Sequence, residues 1–335
     1  MSILTEKDQA PADERESFAG LAALTTSCGI YKVDRTLVSL TGQDRVRWLN
    51  GMVTNNVRDL AANQGVYAFV LSPQGHILGD LYIFNRSESL ALSVERSQRE
   101  TLVTVLGRYI IMDKVEIDSS LASFAALAIA GPKSEAVLDG LGVHPKLNSL
   151  QLADTRLEDF GGILVRGDNP CVPNYEFWMP NDQLERAWKL LLGRGAVEVQ
   201  AESLEMFRIL CGIPKVGKDI RERTLPQETG QERALNFNKG CYIGQEIVER
   251  IRSRGAVHRT LVGLEIEGEA PIEAGKIESQ AKDVGELTSV ARAPIKGKRI
   301  ALGYVRKEFL GTDQALAAQG RTVKPRPLPF MDLFN

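Results

Sequence analysis

One cysteine stands in a segment whose residue types could support chemistry, in which glycines surround Cys241 and Lys239 precedes it by two positions. Glycines allow a ligand to approach the backbone closely. A helix starting near residue 243 would place its positive end beside Cys241, and that end together with Lys239 would favour the thiolate over a thiol with an ordinary pKa of about 8.5. The pattern therefore indicates a reactive thiol. The alternative is a buried cysteine that fills a turn.

Two carboxylic acids interrupt apolar strand patterns. Asp80 shares one face of a predicted strand over 76–84 with Tyr82 and Phe84. Such an acid needs a partner, either a backbone amide or arginine in a structural role or a ligand amine in a functional one. Glu176 alternates with large apolar residues, so it faces solvent or hydrogen-bonds a polar heterocycle in an aromatic-walled pocket.

Composition and motif content exclude several classes of protein. The 335 residues are 43% hydrophobic and 25% charged, which is typical of globular chains. The formal charge of −2 provides no overall attraction for nucleic acids or anionic membranes, and no direct nucleic-acid binding is expected. Four scattered cysteines and three histidines lack metal-ligand spacing, so we assign no metal site. Phosphate-loop, dinucleotide, zinc-protease and esterase motifs are missing.

The amino-terminal 16 residues mix acidic and basic side chains without an apolar core. This composition predicts a flexible tail and not a targeting segment. The longest nearly apolar stretch, 121–130, is far shorter than the roughly 20 residues that cross a bilayer. We therefore expect a soluble cytoplasmic protein without a membrane partner.

The elements that must position these residues alternate between strands and helices up to about residue 251, which predicts an α+β fold. Beyond that point, short strands separated by Gly, Pro and Lys predict a small terminal β-barrel or sandwich. The predicted strands are 37–40, 67–71, 77–84, 124–130, 261–266, 285–291 and 300–305, and the predicted helices are 43–50, 98–109, 133–141 and 184–192.

The segment 239–246, Lys-Gly-Cys-Tyr-Ile-Gly-Gln-Glu, resembles the signature of the YgfZ family, folate-binding relatives of the aminomethyltransferase (T-protein) of the glycine cleavage system. Further blocks of the chain resemble the same family, and only the region before about residue 31 lies outside the resemblance. These blocks are 40–56, 72–81, 128–132 and 285–305.

The resemblance implies a three-domain GcvT-like cloverleaf around a central opening that binds tetrahydrofolate or a one-carbon-substituted form. Its implied organisation is a flexible tail (1–30), a discontinuous folate-binding core (31–55 and 130–250), a ferredoxin-like α+β domain (56–129) and a C-terminal β-barrel (251–335). It also implies support for assembly or repair of [4Fe–4S] clusters in client enzymes, including radical enzymes that modify tRNA. Folate, those clients and iron–sulfur carrier proteins are the implied partners.

The resemblance also assigns site residues. Asp80 corresponds to the aspartate that faces the reactive nitrogens of folate, and Glu176 to the glutamate that contacts the pterin. Cys241 and Asp80 are the candidate catalytic residues. The remaining candidate folate-binding residues are Lys239, Gly240, Tyr242 and Arg208.

Two departures from the aminomethyltransferases argue against aminomethyl transfer. Gly79 stands where those enzymes often have a second aspartate, and 169–174 replaces the glycine-rich stretch that usually precedes the glutamate. A true aminomethyltransferase, which transfers a lipoyl-bound aminomethyl group to folate, remains the alternative function. A third possibility is an interaction module that kept the fold and lost the ligand.

Overall fold

Three β-sheets organise the chain in a computed structural model that describes residues 12–118, 120–121, 123–144, 146–255, 257–268 and 270–334. Within these ranges, no helix combines the length and the apolar character that a bilayer crossing requires. The helices are α1 (Ala12–Thr26), α2 (Arg45–Asn50), α3 (Arg99–Gly107), α4 (Ser134–Asp139), α5 (Leu184–Gly193), α6 (Ala201–Leu210) and α7 (Gln245–Arg254). The strands are β1 (Gly29–Lys32), β2 (Arg35–Thr41), β3 (Gly65–Leu71), β4 (Ile77–Asn85), β5 (Leu90–Glu95), β6 (Glu116–Asp118), β7 (Phe124–Ala130), β8 (Leu152–Leu157), β9 (Phe160–Arg166), β10 (Asn174–Pro180), β11 (Val197–Glu198), β12 (Arg259–Ile266), β13 (Gly275–Ser279), β14 (Lys282–Val290), β15 (Arg299–Arg306), β16 (Leu316–Ala318) and β17 (Arg321–Arg326).

The first sheet has six strands in the order β11-β1-β7-β10-β9-β8. Its apolar face packs against α4 and α5, because the buried positions of these helices, Leu138, Ala187 and Leu191, lie in one cluster with strand residues. Strands β7, β9, β10 and β11, with α4 and α5 between them, follow the βαββαβ connectivity of a ferredoxin-like unit. Strands β2, β4, β5 and β6, with α2 and α3 between them, follow the same connectivity, so the predicted ferredoxin-like domain over 56–129 overlaps a unit of this kind and its bounds stay a prediction.

The amino-terminal region corrects the prediction of a flexible tail over 1–30. Residues 12–26 form α1, and β1 follows it directly and pairs with β7 and β11. Leu21 and Leu24 are buried in one apolar cluster with residues of α6, so the apolar run that follows the charged residues stabilises a docked helix. The part of the predicted tail at 1–11 lies outside the described residues.

The second sheet has five strands in the order β3-β4-β5-β2-β6, and every neighbouring pair is antiparallel. The predicted hairpin around 72–75 is present as β3 and β4, with Phe69 opposite Asp80. Strand β2 belongs to this sheet, whereas β7 belongs to the first one. The predicted boundaries at 55/56 and 129/130 therefore do not follow the division between the sheets.

The carboxyl-terminal part is a closed six-stranded barrel, β12-β15-β14-β13-β16-β17, which confirms the predicted β-barrel. Buried Asp219 connects it to the rest of the molecule. Its carboxylate accepts hydrogen bonds from Ser289 Oγ and Thr288 Oγ1 of β14 at 2.7 and 2.5 Å, and from Arg208 Nη1 of α6 at 2.7 Å. The barrel is thereby fixed against α6, beside the candidate site.

Candidate functional site

Asp80 lies on β4 with its carboxylate buried at the side of the second sheet. Its oxygens accept hydrogen bonds from Tyr67 Oη at 2.8 Å and from Gln98 Nε2 at 3.2 Å. Strand alternation brings Asp80 to the same side as Tyr82, as the sequence predicts. Because a carboxylate offers about four acceptor sites, these two bonds leave capacity for a further donor.

Arg35 is the cation that accompanies the two acids, and the sequence analysis did not identify it. Its Nε and Nη2 donate to Oγ and the carbonyl oxygen of Ser93 at 3.1 and 2.7 Å, and its guanidinium lies 5.0 Å from the centre of the Tyr82 ring. Burial lowers the pKa of Arg35, but the charges of Asp80 and Glu176 help to raise it overall. Arg35 therefore stays charged in the neighbourhood of the two acids. The signal in the sequence was an arginine at the start of an apolar strand that needed a counter-charge.

Glu176 lies on β10 and faces the same region from the first sheet. Its Oε2 accepts a hydrogen bond from Trp178 Nε1 at 2.8 Å. Burial raises the pKa of Glu176, while the Trp178 hydrogen bond and the charge of Arg35 oppose that rise. It lines a cavity of about 40 Å³ together with Tyr82 and Asp168. The two acids that the sequence singled out thus approach one arginine from two different sheets.

An ion pair between Asp168 and Arg233 lies at the junction of this small cavity and a larger one. Tyr82 Oη donates to Asp168 Oδ1 at 2.9 Å, and the Arg233 guanidinium lies 4.4 Å from the centre of the Tyr67 ring. Asp168 and Arg233 both line the larger cavity, whose volume of about 370 Å³ falls within the range of about 300–1,000 Å³ for small-molecule sites. Neither residue of the pair was predicted, because they are 65 positions apart in the chain.

Cys241 is exposed, but Lys239 does not have the role that the sequence suggested. The Lys239 ammonium is buried and donates to the carbonyl oxygens of Asn50, Val53 and Asn55 at 2.6, 2.6 and 2.7 Å. Burial lowers the pKa of Lys239 to about 7. Its donors are committed to the 50–55 loop, so the lysine anchors the signature segment and supplies no free cation to the thiol.

The glycines and the tyrosine of the signature segment differ in their surroundings. Gly244 has a φ of +82°, and a Cβ there would lie 2.6 Å from the Ser72 carbonyl oxygen, so this position requires glycine for the close approach to the β3–β4 turn. A Cβ on Gly240 would meet nothing within 4 Å. Tyr242 is buried, with its ring centre 4.9 Å from Lys239 Nζ. Open space therefore lies at the Gly240–Cys241 side of the segment.

Arg208, a predicted folate ligand, is engaged in the joint with the barrel. Nη1 donates hydrogen bonds to Asp219 and to the Ile213 carbonyl oxygen. Nη2 donates to Glu205 and Ser289, and Nε donates to Glu205. A guanidinium has five N–H donors, and all five are used. The geometry therefore gives Arg208 a structural role between α6 and β14.

Two domain families together match most of the chain. Residues 19–239 match the GCVT N-terminal domain, and residues 259–332 match the glycine cleavage T-protein C-terminal barrel domain. The chain belongs to the glycine cleavage T-protein family. Asp80 and Glu176 therefore lie within the matched N-terminal domain, while the signature segment after Lys239 lies between the two matched ranges.

Solved and curated relatives agree with that assignment. A crystal structure of the glycine cleavage system aminomethyltransferase T from Bartonella henselae superposes with a TM-score of 0.83 at 21% identity, covering 94% of this chain and 89% of that one. Aminomethyltransferases from Rubrobacter xylanophilus and Thermosynechococcus vestitus are each 27% identical. These alignments cover 92% and 86% of this chain and 84% and 81% of the relatives. The structural likeness establishes a T-protein fold.

No resident metal centre emerges from the part of the chain that the structure describes. Within it, no group of three or more His, Cys, Asp or Glu side chains is arranged to hold a metal ion. The two cavities present the carboxylates of Asp168 and Glu176, the Arg233 guanidinium, the Tyr82 hydroxyl and the Cys211 thiol, and the signature segment presents an exposed thiol.

Proposed function

We propose that this T-protein family member binds tetrahydrofolate, or a one-carbon-substituted form, and supports assembly or repair of [4Fe–4S] clusters in client enzymes. The observation that carries the folate part is that buried Asp80 and half-buried Glu176 both raise the pKa of Arg35, and that Glu176 lines a cavity. A pterin ring presents N–H and amino donors, which gain most from buried carboxylates. The iron–sulfur part rests on the resemblance of the signature segment to the YgfZ family.

In the proposed complex the pterin lies toward Asp80 and Glu176 and the glutamate tail points outward through the larger cavity. The Asp168–Arg233 pair lies on this route, because Asp168 lines both cavities. A ligand that extends from Glu176 into the larger cavity would therefore pass this pair. Tyr67 and Tyr82 provide aromatic surface beside the two acids.

Cys241 is the residue we assign to the iron–sulfur function. It is exposed on the open side of the signature segment, whereas Cys28 and Cys211 are buried. An exposed thiol is accessible to a client enzyme or an iron–sulfur carrier protein and can act on a sulfur, iron or one-carbon species. The proposed site of action is the cytoplasm, with no direct contact to nucleic acid.

The second candidate function is aminomethyl transfer from a lipoyl-bound group to folate. It is favoured by the names of the curated relatives and by the buried carboxylate of Asp80. A glycine-cleavage assay with lipoylated carrier protein separates the two functions. The proposal predicts no turnover above background, and turnover that depends on Asp80 would establish the transferase instead.

The iron–sulfur role is tested in cells that lack the protein. Activities of several [4Fe–4S] enzymes, including tRNA-modifying radical enzymes, are measured before and after re-expression of the wild type. We expect these activities to fall together and to return with the wild type, while enzymes without clusters stay constant. Unchanged cluster enzymes in the deficient cells would refute the role.

A further inference from the structure

Two of the four thiols lie together at the edge of the larger cavity. Cys171 belongs to the loop before β10, and Cys211 immediately follows the last residue of α6. Although 40 positions separate them in sequence, Cys171 packs against the apolar cluster that contains Cys211. Tertiary folding, not local sequence, has brought these two cysteines close together.

Asn169 fixes the loop that presents Cys171. Its Oδ1 accepts hydrogen bonds from the backbone amides of Cys171 and Val172 at 2.9 and 3.2 Å. The same side chain approaches Cys211, with Sγ 3.8 Å from both Oδ1 and Nδ2. One amide side chain therefore contacts both cysteines and fixes the position of the loop relative to the end of α6.

The two thiols are chemically unequal. Cys211 is 2% exposed, and burial raises its pKa well above the ordinary value. Cys171 is partly exposed, and the neighbouring Cys211 thiol lowers its pKa. In thiol–disulfide exchange the accessible thiolate attacks first and the neighbouring thiol resolves the product. By contrast, Cys28 is buried and its pKa is raised to about 11.

We propose that Cys171 and Cys211 form a redox-active pair that exchanges with low-molecular-weight disulfides. The Cys171 sulfur attacks one sulfur of the small disulfide, whose S–S bond breaks and releases a first small thiol. The Cys211 sulfur then attacks Cys171 in the mixed disulfide and releases a second small thiol. The two protein thiols are oxidised to one disulfide, the small disulfide is reduced to two thiols, and the two protein-derived protons end on those thiols.

The consequence of oxidation follows from where the pair lies. Pro170 and Cys211 line the larger cavity, and Asp168, on the same loop as Cys171, forms the ion pair with Arg233. A disulfide would tie this loop covalently to the end of α6 and replace the contacts of Asn169 with Cys211. Oxidation of the pair by small disulfides would thus change the position of residues that line the cavity. This inference stands independently of which ligand the cavity takes.

The test uses the full-length wild-type chain and glutathione disulfide as the probe. Native protein is equilibrated at graded ratios of reduced to oxidised glutathione, free thiols are alkylated, and each cysteine is assigned by peptide mass spectrometry. We expect an internal Cys171–Cys211 disulfide that reduced glutathione reverses. We also expect Cys241, which is exposed, to carry glutathione as a mixed disulfide. In Cys211→Ser, glutathione should remain on Cys171 at a level at least about tenfold above wild type, because the resolving thiol is missing.

Two results would overturn the proposal. The first is glutathione that persists on Cys171 in the wild type, since the neighbouring thiol would then fail to resolve it. The second is a pair that reacts only after denaturation, since the native loop would then block the exchange. Both are read on the wild type, so the conclusion does not depend on the folding of the serine variant.

Discussion

Cys241 is exposed, while the lysine two residues before it is buried and bound to three carbonyl oxygens. The reactivity of the Cys241 thiol therefore depends on its accessibility. Cys241→Ser is nearly isosteric and should keep folding and folate affinity within about twofold of wild type. The same variant should fail to restore [4Fe–4S] enzyme activity in deficient cells. Full rescue by this variant would show that the thiol is structural and would move the chemistry to Asp80.

Lys239 gives a second prediction at the residue scale. Lys239→Met removes the ammonium and leaves the carbonyls of Asn50, Val53 and Asn55 without this donor, which should reduce the free energy of unfolding by at least about 2 kcal/mol. The matched control is Lys32→Met, whose ammonium forms an exposed pair with Glu185 and should change stability by less than about 0.5 kcal/mol. Urea unfolding measures both. Equal effects would contradict the anchoring role.

At the scale of elements, substitutions in the turn before α7 test which contacts fix the signature segment. Gly244 and Gly217 have nearly identical φ values of +82° and +83°, but a Cβ on Gly244 would meet the Ser72 carbonyl at 2.6 Å, whereas one on Gly217 would meet nothing within 4 Å. Gly217→Ala should reduce the free energy of unfolding by only about 1–2 kcal/mol, because alanine is strained in the left-handed conformation. Gly244→Ala should reduce the free energy of unfolding distinctly more in the same thermal or urea unfolding experiment. Similar losses would show that the contact with the β3–β4 turn is unimportant.

Elements with strong local patterns were predictable from the sequence. The β3–β4 hairpin was predicted because β-rich runs flank turn residues, and α5 because its apolar residues repeat with helical spacing. Helix α1 was missed, since its first half is charged and its buried face is stabilised by α6, nearly 200 residues away. The assignment of β2 and β7 to different sheets also depends on long-range pairing, which no local pattern encodes.

The same physical limit applies to the site. Asp80 and Glu176 could be found because an acid in an apolar strand stands out locally. Arg35 also carried a local signal, an arginine at the start of an apolar strand, but Asp168 and Arg233 did not, because the role of each depends on a partner in a distant segment.

On the scale of the whole molecule, the joint between α6 and the barrel should make stability depend on pH. Burial would raise the pKa of Glu205, but hydrogen bonds and charges from Arg208 and Lys218 lower it to about 2. The unfolded chain, with a value of 4.5, then binds the proton first as the pH falls. The stabilisation is therefore fully present above about pH 4.5 and is lost toward pH 2.

Glu205→Gln measures this contribution directly. The variant should be less stable than wild type at pH 6, and the difference in the free energy of unfolding should shrink as the pH falls from 5 to 3 in urea titrations at about 25 °C. A difference that stays constant over this range would mean that the Glu205 carboxylate is not held charged by its partners.

The central claim is that the carboxylates of Asp80 and Glu176 bind a reduced folate, and calorimetric titration of the full chain with tetrahydrofolate tests it most directly. Charge-assisted hydrogen bonds contribute about 1.5–3 kcal/mol, so Asp80→Asn and Glu176→Gln should each weaken binding roughly ten- to a hundredfold. The control Glu185→Gln changes an exposed acid on α5 and should bind like wild type. The account predicts saturable binding that Asp80→Asn and Glu176→Gln both weaken. Absence of binding to the wild type, or dissociation constants unchanged in both variants, would contradict it.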